Sequence, residues 1–349
     1  MKKEFDLLVY IGRFQPLHKG HMTVINKALE ISNTVLVLVG GCSSPRSIRN
    51  PFDYLEVLEM FEAAYPEHHD VEEMTKNWRL RIDGIDDYVY NDDRWLAAAH
   101  NIISDHIPTN VLNPKVGLIG HSKDNTSYYL KMFPGYKSVE VPNFEGINAT
   151  TIREDLFSNN RFFTQADSME TSVRNKMTEI LLWGEWWPKL QEEYKMIQEY
   201  KKSWESAPYP PTFVTTDAVV IQSGHILLVK RGHAPGIGQW ALPGGFLNQK
   251  ETLIDGCVRE LREETRLRVP APVLKGSIKN QRTFDDPNRS SRGRTITHAF
   301  HFELTPMESL PKVKGSDDAV DAQWVKLHDL RRDKMFEDHY DIISYFTGL

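Results

Sequence analysis

Cysteine is nearly absent from this chain: Cys42 and Cys257 are the only two in 349 residues. So few, so far apart, exclude a disulfide framework and a zinc site built on cysteines. They point instead to a reducing, cytoplasmic setting. Long hydrophobic runs are also missing. The longest apolar stretches, such as Val35 to Val39, are of strand length and too short to span a bilayer. Asp6 and Arg13 arrive before any signal-like segment forms, so the chain reads as soluble and unexported. Nor is there a run of like charge: 42 Lys+Arg stand against 48 Asp+Glu, a formal net charge of −6. That balance removes the footprint of a duplex nucleic-acid binder. No internal repeat and no low-complexity tract is present. The expected partners are small molecules, with neither nucleic acid nor membrane among them, and self-association into a homo-oligomer is left open.

What is present divides in two, as the length suggests at roughly 150 residues per domain. Leu7 to Ile11 is a continuous apolar run of the kind buried on both faces of a parallel sheet, and Gly12, Pro16 and Gly20 break it. From His21 the pattern turns helical through Val24, Ile25, Ala28 and Leu29, and Thr34 to Val39 supplies a second buried strand. Strand, helix and strand patterns return at Val116–Ile119, Ser127–Phe133 and Ser138–Val141. These predict a doubly wound, Rossmann-like α/β domain over residues 1–170. A polar and aromatic helical stretch, 171–206, carries Trp183, Trp186 and Trp187 and ends at Pro208, Pro210 and Pro211. Aromatics at helical spacing predict ordinary packing there. Beyond the prolines the texture is β. Thr215–Ile221 and His225–Val229 flank a Gln222-Ser223-Gly224 turn, strands are expected at Thr295–Leu304 and Ala322–Leu327, and one helix at Thr252–Thr265 interrupts them. The second domain, 207–349, is therefore α+β.

Chemistry gathers first where the leading strand meets its helix, in Gly12-Arg13-Phe14-Gln15-Pro16-Leu17-His18-Lys19-Gly20-His21. An open parallel sheet places a phosphate there, because free N–H groups and the positive helix end face the crevice. His18 and His21 project from one side of the first turn, and Arg13 adds a fixed charge. Read alone, the two histidines also suit a turn that merely caps its helix. A zinc site is less well supported, with no further ligand nearby. The whole string resembles the signature of the HxGH nucleotidyltransferases, and Gly-Arg-Phe-Gln-Pro resembles the archaeal-type nicotinamide mononucleotide (NMN) adenylyltransferases. Ser47-Ile48-Arg49-Asn50-Pro51-Phe52, Trp95 in Asn91-Asp92-Asp93-Arg94-Trp95, and Ile147-Asn148-Ala149-Thr150-Thr151-Ile152-Arg153 resemble that family's later motifs. Asn148 stands where the family has Ser, and the Gly-Glu-Arg that follows the second motif is missing. An Asn can still cap the helix. The resemblance implies attack of the NMN phosphate on ATP, giving NAD and pyrophosphate by alignment and charge neutralisation. It implies catalytic roles for His18, His21 and Arg153, with Mg²⁺. Nucleotide contacts are implied for Gly12, Arg13, Phe14, Arg49, Trp95, Asn148 and Thr150.

A second constellation runs from Gly245 through Glu251 to Arg259-Glu260-Leu261-Arg262-Glu263-Glu264-Thr265-Arg266-Leu267. At 100° per residue, Glu260, Glu263 and Glu264 share an arc of about 100° on one helix. Leu253, Cys257 and Leu261 form the adjacent apolar stripe. Three crowded acids are either a solvated face or oxygen ligands for a divalent cation. The string is similar to the Nudix box and departs from it only at Arg266, where the family has the Gly that ends the helix. The resemblance implies that Glu260, Glu263, Glu264 and the Gly245 carbonyl hold Mg²⁺ or Mn²⁺. It also places Arg259 beside the substrate, positioning the acids, and has activated water split a diphosphate. Trp240-Ala241-Leu242-Pro243-Gly244-Gly245-Phe246 and Asp286 through Arg294 resemble the ADP-ribose pyrophosphatase branch. The general base is left between Glu264 and Asp317 or Asp318, whose plain reading is an acidic turn.

Together the two resemblances imply a bifunctional enzyme of NAD metabolism acting on ATP, NMN and ADP-ribose. The alternatives are a transferase for another phosphate ester and a Nudix domain that senses a nucleotide without cutting it.

Overall fold

In the computed structural model the described residues are 3–68, 79–120, 132–142, 144, 146–158 and 164–349. They form two compact units, Met1–Leu190 and Gln191–Leu349.

The first unit alternates β1 (Phe5–Gly12), α1 (Lys19–Ile31), β2 (Ser32–Gly40), α2 (Tyr54–Ala64), β3 (Leu80–Ile85), α3 (Asp92–His106), β4 (Val116–Gly120), β5 (Lys137–Glu140), α4 (Ala149–Ser158) and α5 (Thr171–Trp183). The strands make one parallel sheet in the order β3-β2-β1-β4-β5, the doubly wound arrangement expected. Leu7, Leu8 and Val9 on β1 and Val35 to Leu38 on β2 have no solvent exposure, which is why those strands read as unbroken apolar runs. β3 lies at the sheet edge, and its Arg81 and Asp83 dilute the apolar signal, so no strand is expected there from sequence. The helix expected at Ser127–Phe133 lies outside the described residues except for its last two.

The aromatic stretch is two helices broken at Gly184. α5 is followed by α6 (Trp187–Lys202), which runs from the first unit into the second. Trp186 stacks under the Arg46 guanidinium at 4.2 Å, and Trp187 stacks on Phe157 at 4.8 Å. Trp183 is exposed.

The second unit contains β6 (Phe213–Gln222), β7 (His225–Arg231), β8 (Trp240–Ala241), β9 (Gly244–Phe246), α7 (Leu253–Thr265), α8 (Ala271–Gly276), β10 (Ile278–Phe284), β11 (Thr295–Glu303), β12 (Ala319–Lys326) and α9 (His339–Thr347). The mixed sheet runs β10-β11-β6-β7-β12, with β8 paired to β7 and β9 to β6. The β6–β7 hairpin turns on Ser223 and Gly224, both at positive φ (48° and 73°), as a tight two-residue hairpin requires. Thr252 caps α7, and its stripe of Cys257 and Leu261 packs with Ala218, Val220, Phe300 and Phe302 of the sheet.

The α6 residues beyond Leu190 contribute to this second unit. The Glu193 carboxylate accepts the Gly236 N–H at 2.8 Å. Trp204 meets Phe213 edge-on at 5.3 Å, and Phe213 in turn meets Phe246 at 5.9 Å. A fragment starting at residue 207 loses the Glu193 hydrogen bond and the Trp204–Phe213 contact. At about 1 kcal/mol each for a hydrogen bond and an aromatic pair, residues 207–349 should melt roughly 4–8 °C below residues 191–349. Thermal unfolding of both fragments checks this, and equal midpoints would contradict it.

Candidate active sites

The first site lies at the carboxyl end of β1, where the strand order reverses between β1 and β4. Gly12 is the last residue of the strand, and a Cβ there would come within 2.9 Å of the Phe14 ring. Phe14, at φ 53°, is 1% exposed and packs edge-on against Phe61 and His21, 5.1 and 4.8 Å away. Its ring therefore braces His21 from within the turn. His18 caps α1 in extended conformation and is 5% exposed. Its ring stacks on His21 at 3.6 Å, and the His18 backbone N–H donates to His21 Nδ1 at 3.4 Å. Gly20 permits that stack: a Cβ would sit 3.0 Å from His18 Cε1. Gly20→Ala should therefore displace the imidazole by a few tenths of an ångström and slow the adenylyl transfer that the signature implies about tenfold. Steady-state rates at saturating substrates test this, and an unchanged rate would show that the imidazole position is not critical.

Two further loops are tied to this turn. The Gln15 amide donates to Phe52 O at 2.7 Å and accepts from Phe52 N–H at 3.0 Å, both buried. Arg46 holds the same loop by pairing with Asp53 and Glu56. This frame carries Arg49. Arg13 pairs with Asp87 at 3.1 Å and donates to Asn50 at 3.3 Å. From the start of α4, Arg153 donates to Gln15 O at 2.7 Å and to Thr150 Oγ1 at 3.3 Å. Asn148 caps α4, accepting the Thr151 N–H at 2.9 Å, so Asn serves where the motif has Ser. Burial, then Arg13 and Arg49, push Arg153 down to about 10, so three guanidinium groups act on one another here. Like charges brought together at a helix start describe an anion site. Trp95 is half-buried in the first turn of α3, 6.2 Å from Phe133.

At the second site, α7 runs under β9. Arg259 forks onto Glu251 at 2.7 and 3.0 Å and reaches Glu260 at 2.7 Å and Glu263 at 3.0 Å. Arg259, with the Asn248 N–H, holds the Glu251 carboxyl down to about 2. Glu264 behaves oppositely. It is 8% exposed, accepts the Gly244 N–H at 2.9 Å, and burial pushes it up to about 8. Burial also raises Glu260. Gly245 allows close approach, since a Cβ would lie 2.7 Å from the Glu260 carboxyl. The loop carrying Asp317 and Asp318 is tied to the end of α7, with Ser316 N–H donating to Glu264 O at 3.1 Å, and the charge of Asp317 raises Glu260. Asp318 pairs with His233 at 3.4 Å on the surface.

The comparisons match these two geometries. Residues 9–155 fit the Cytidylyltransferase-like family and residues 211–346 the NUDIX domain. A nicotinamide/nicotinic acid mononucleotide adenylyltransferase from Acinetobacter baylyi is 38% identical over 155 residues, 44% of this chain and 77% of that protein. An ADP-ribose pyrophosphatase from Methanocaldococcus jannaschii is 34% identical over 131 residues, 38% of this chain and 70% of that one. The crystal structure of a bifunctional NMN adenylyltransferase/ADP ribose pyrophosphatase from Francisella tularensis, complexed with AMP and a manganese ion, superposes over 99% of both chains with a TM-score of 0.88 and 33% identity. The chain belongs to this bifunctional NMN adenylyltransferase/Nudix ADP-ribose pyrophosphatase family.

Membership does not favour the alternative of a different phosphate-ester transferase joined to a sensing Nudix domain. In this family member Arg266 stands in the left-handed conformation, φ 51°, that the usual Gly supplies, so α7 ends as the motif requires. Among the described residues no group of three or more His, Cys, Asp or Glu is already gathered around a cation position, because Arg259 occupies Glu260 and Glu263. The donor set nonetheless fits a divalent cation: two desolvated carboxylates, Glu260 and Glu264, against the Gly244-Gly245 backbone, with Glu263 beside them. No helix among the described residues is long and apolar enough to cross a membrane.

Two arginines had no role assigned from sequence, Arg231 and, within the Asp286–Arg294 stretch, Arg292. Arg231 at the end of β7 lies over Phe336 at 4.0 Å, and its charge reaches Glu264. Arg292 lies over Phe246 at 5.1 Å with its Nε buried. Their signal was weak, since Arg231 follows an ordinary buried strand and Arg292 lies in a loop.

Proposed function

We propose that this chain joins ATP and NMN into NAD at the first site and hydrolyses ADP-ribose to AMP and ribose 5-phosphate at the second. Arg153, donating to Gln15 O in the turn that holds Arg13, His18 and His21, carries the first half, with the loop of Arg49 tied to that turn through Gln15 and Phe52. An NMN phosphate oxygen attacks the α-phosphorus of ATP, and the bond to pyrophosphate breaks. The three guanidinium groups and the two imidazoles align the phosphates and offset the charge that builds on them, and no covalent nucleophile is needed. Trp95 lies on the nicotinamide side, and Thr150 and Asn148 set the start of α4.

The desolvated Glu264 and Glu260 against Gly244 and Gly245 carry the second half. With Glu263 and the Gly245 carbonyl they hold Mg²⁺ or Mn²⁺. When bound, the cation offsets the charge of the diphosphate and makes a water more acidic. Glu264, as a carboxylate, takes the proton of the attacking water, while Arg259 keeps Glu260 and Glu263 on the helix edge. Arg231, with Arg292 near it, adds positive charge beside Glu264 for the diphosphate. The AMP and manganese ion in the Francisella tularensis relative agree with this assignment of ligand classes.

Product analysis tests both halves. NAD and pyrophosphate are expected from ATP plus NMN, and AMP plus ribose 5-phosphate from ADP-ribose, each with and without Mg²⁺ or Mn²⁺. Absence of either product pair would remove that half of the reading.

A further inference from the structure

The C-terminal part of the second unit is laced to the chain that leads into the Nudix motif. Phe336 N–H donates to Trp240 O at 2.7 Å, and Trp240 and Met335 form an isolated parallel bridge. β8 pairs with β7 and β9 with β6, which leaves Leu242 and Pro243 between two short ladders. Pro243 has no N–H, and its carbonyl accepts from Ala218 N–H at 2.8 Å. A buried backbone N–H needs an acceptor. For Leu242 the acceptor is His339 Nδ1 at 2.9 Å, from the first residue of α9.

His339 is held firmly. It is 6% exposed, and the residue before it, Asp338, is pinned by a buried two-pronged bond from Arg289, 2.9 Å on each arm. Because Leu242 donates, Nδ1 carries no proton and the ring proton sits on Nε2. Burial keeps the imidazole below its ordinary value and so neutral near pH 7. Two residues beyond Leu242, Gly244 N–H meets Glu264, and the next residue, Gly245, faces Glu260.

We propose that His339 is a positioning residue for the Nudix reaction: through Leu242 it sets the place of Gly244 and Gly245 against Glu264 and Glu260, and so the geometry of the cation site. The inference rests on the reading of those residues as cation ligands. It predicts that the site depends on an acceptor atom at the Nδ1 position, supplied from far along the chain.

The test uses the full chain in three forms: wild type, His339→Asn, whose Oδ1 stands near the place of Nδ1, and His339→Leu, which fills the space with no acceptor. Three measurements are made on each: hydrogen–deuterium exchange of the 240–246 segment, Mn²⁺ affinity by titration with the metal alone, and NAD synthesis. His339→Leu should bind Mn²⁺ about 10–100-fold more weakly, the usual cost of losing an outer-shell partner, and exchange faster in that segment. His339→Asn should stay within about threefold of wild type in both, and NAD synthesis should hold in all three. Wild-type exchange and Mn²⁺ affinity in His339→Leu would overturn the proposal. So would equal damage in the Leu and Asn variants, which would mean that the ring and not its acceptor matters. If wild type itself binds no Mn²⁺, the cation reading falls, and the exchange comparison still decides whether His339 holds the loop.

Discussion

Glu264→Gln should lower ADP-ribose hydrolysis by about 10²–10³-fold, the range for removing one preorganised charge from a reacting site. NAD synthesis should be unchanged, because the first unit shares none of these residues. The reason lies in the burial of Glu264, which pushes its carboxyl up to about 8. Without a cation the side chain is therefore protonated at neutral pH, and Gln copies that form while keeping an acceptor for Gly244 N–H. What the variant loses is the capacity to become a carboxylate when a cation arrives. Wild-type metal affinity should then rise about tenfold per pH unit up to roughly pH 8 and level off above it, as one proton is displaced. In the variant that slope should vanish. Stability follows the same linkage. The folded value is raised above the ordinary carboxylate value, so in the metal-free protein the contribution of Glu264 is fully present below that ordinary value and is lost as pH rises through about 8. The variant should lack this decline. Both activities measured in one preparation across a Mn²⁺ titration at several pH values decide the matter. Hydrolysis at wild-type rate and metal dependence would remove Glu264 from the ligand set, and joint loss of both activities in a folded protein would refute two separate sites.

Arg153→Ala should lower NAD synthesis by about 30–1000-fold, equivalent to roughly 2–4 kcal/mol of transition-state stabilisation for one charge-assisted phosphate contact. ADP-ribose hydrolysis serves as the internal control and should not change. Although pushed down to about 10, the guanidinium keeps its charge at neutral pH. Its hydrogen bonds to Gln15 O and Thr150 aim it into the turn that carries His18 and His21. Removing it also relieves its repulsion with Arg13 and Arg49, so thermal stability should move little. Arg153→Lys retains the charge without the fork and should recover part of the rate. Near-normal turnover by Arg153→Ala would show that the phosphates lie elsewhere.

Much of this protein was legible from local patterns. The β1 and β2 runs are continuous because a parallel sheet covers both of their faces, so no alternation intrudes and the strands announce themselves. Thr252 and the apolar stripe of Cys257 and Leu261 placed α7 because caps and helical periodicity act within a few turns. The signature residues around His18 and along the acidic helix edge were readable for the same reason: their spacing is set by one turn or one helix. Edge strand β3 was not legible, since half-exposed Arg81 and Asp83 break its pattern. Nor was the division of the aromatic stretch, because Glu193 finds its partner 43 residues on, at Gly236. The burial that separates Glu264 from Glu251, one carboxyl pushed up and the other held down, depends on what packs around each and on where Arg259 points. The meeting of Arg13, Arg49 and Arg153, and the reach of His339 back to Leu242, likewise exist only once the sheets are assembled. Spacing along one helix or turn determines which groups can face one way. Desolvation and long-range contact decide their charge and their partners, and those are properties of the packed chain.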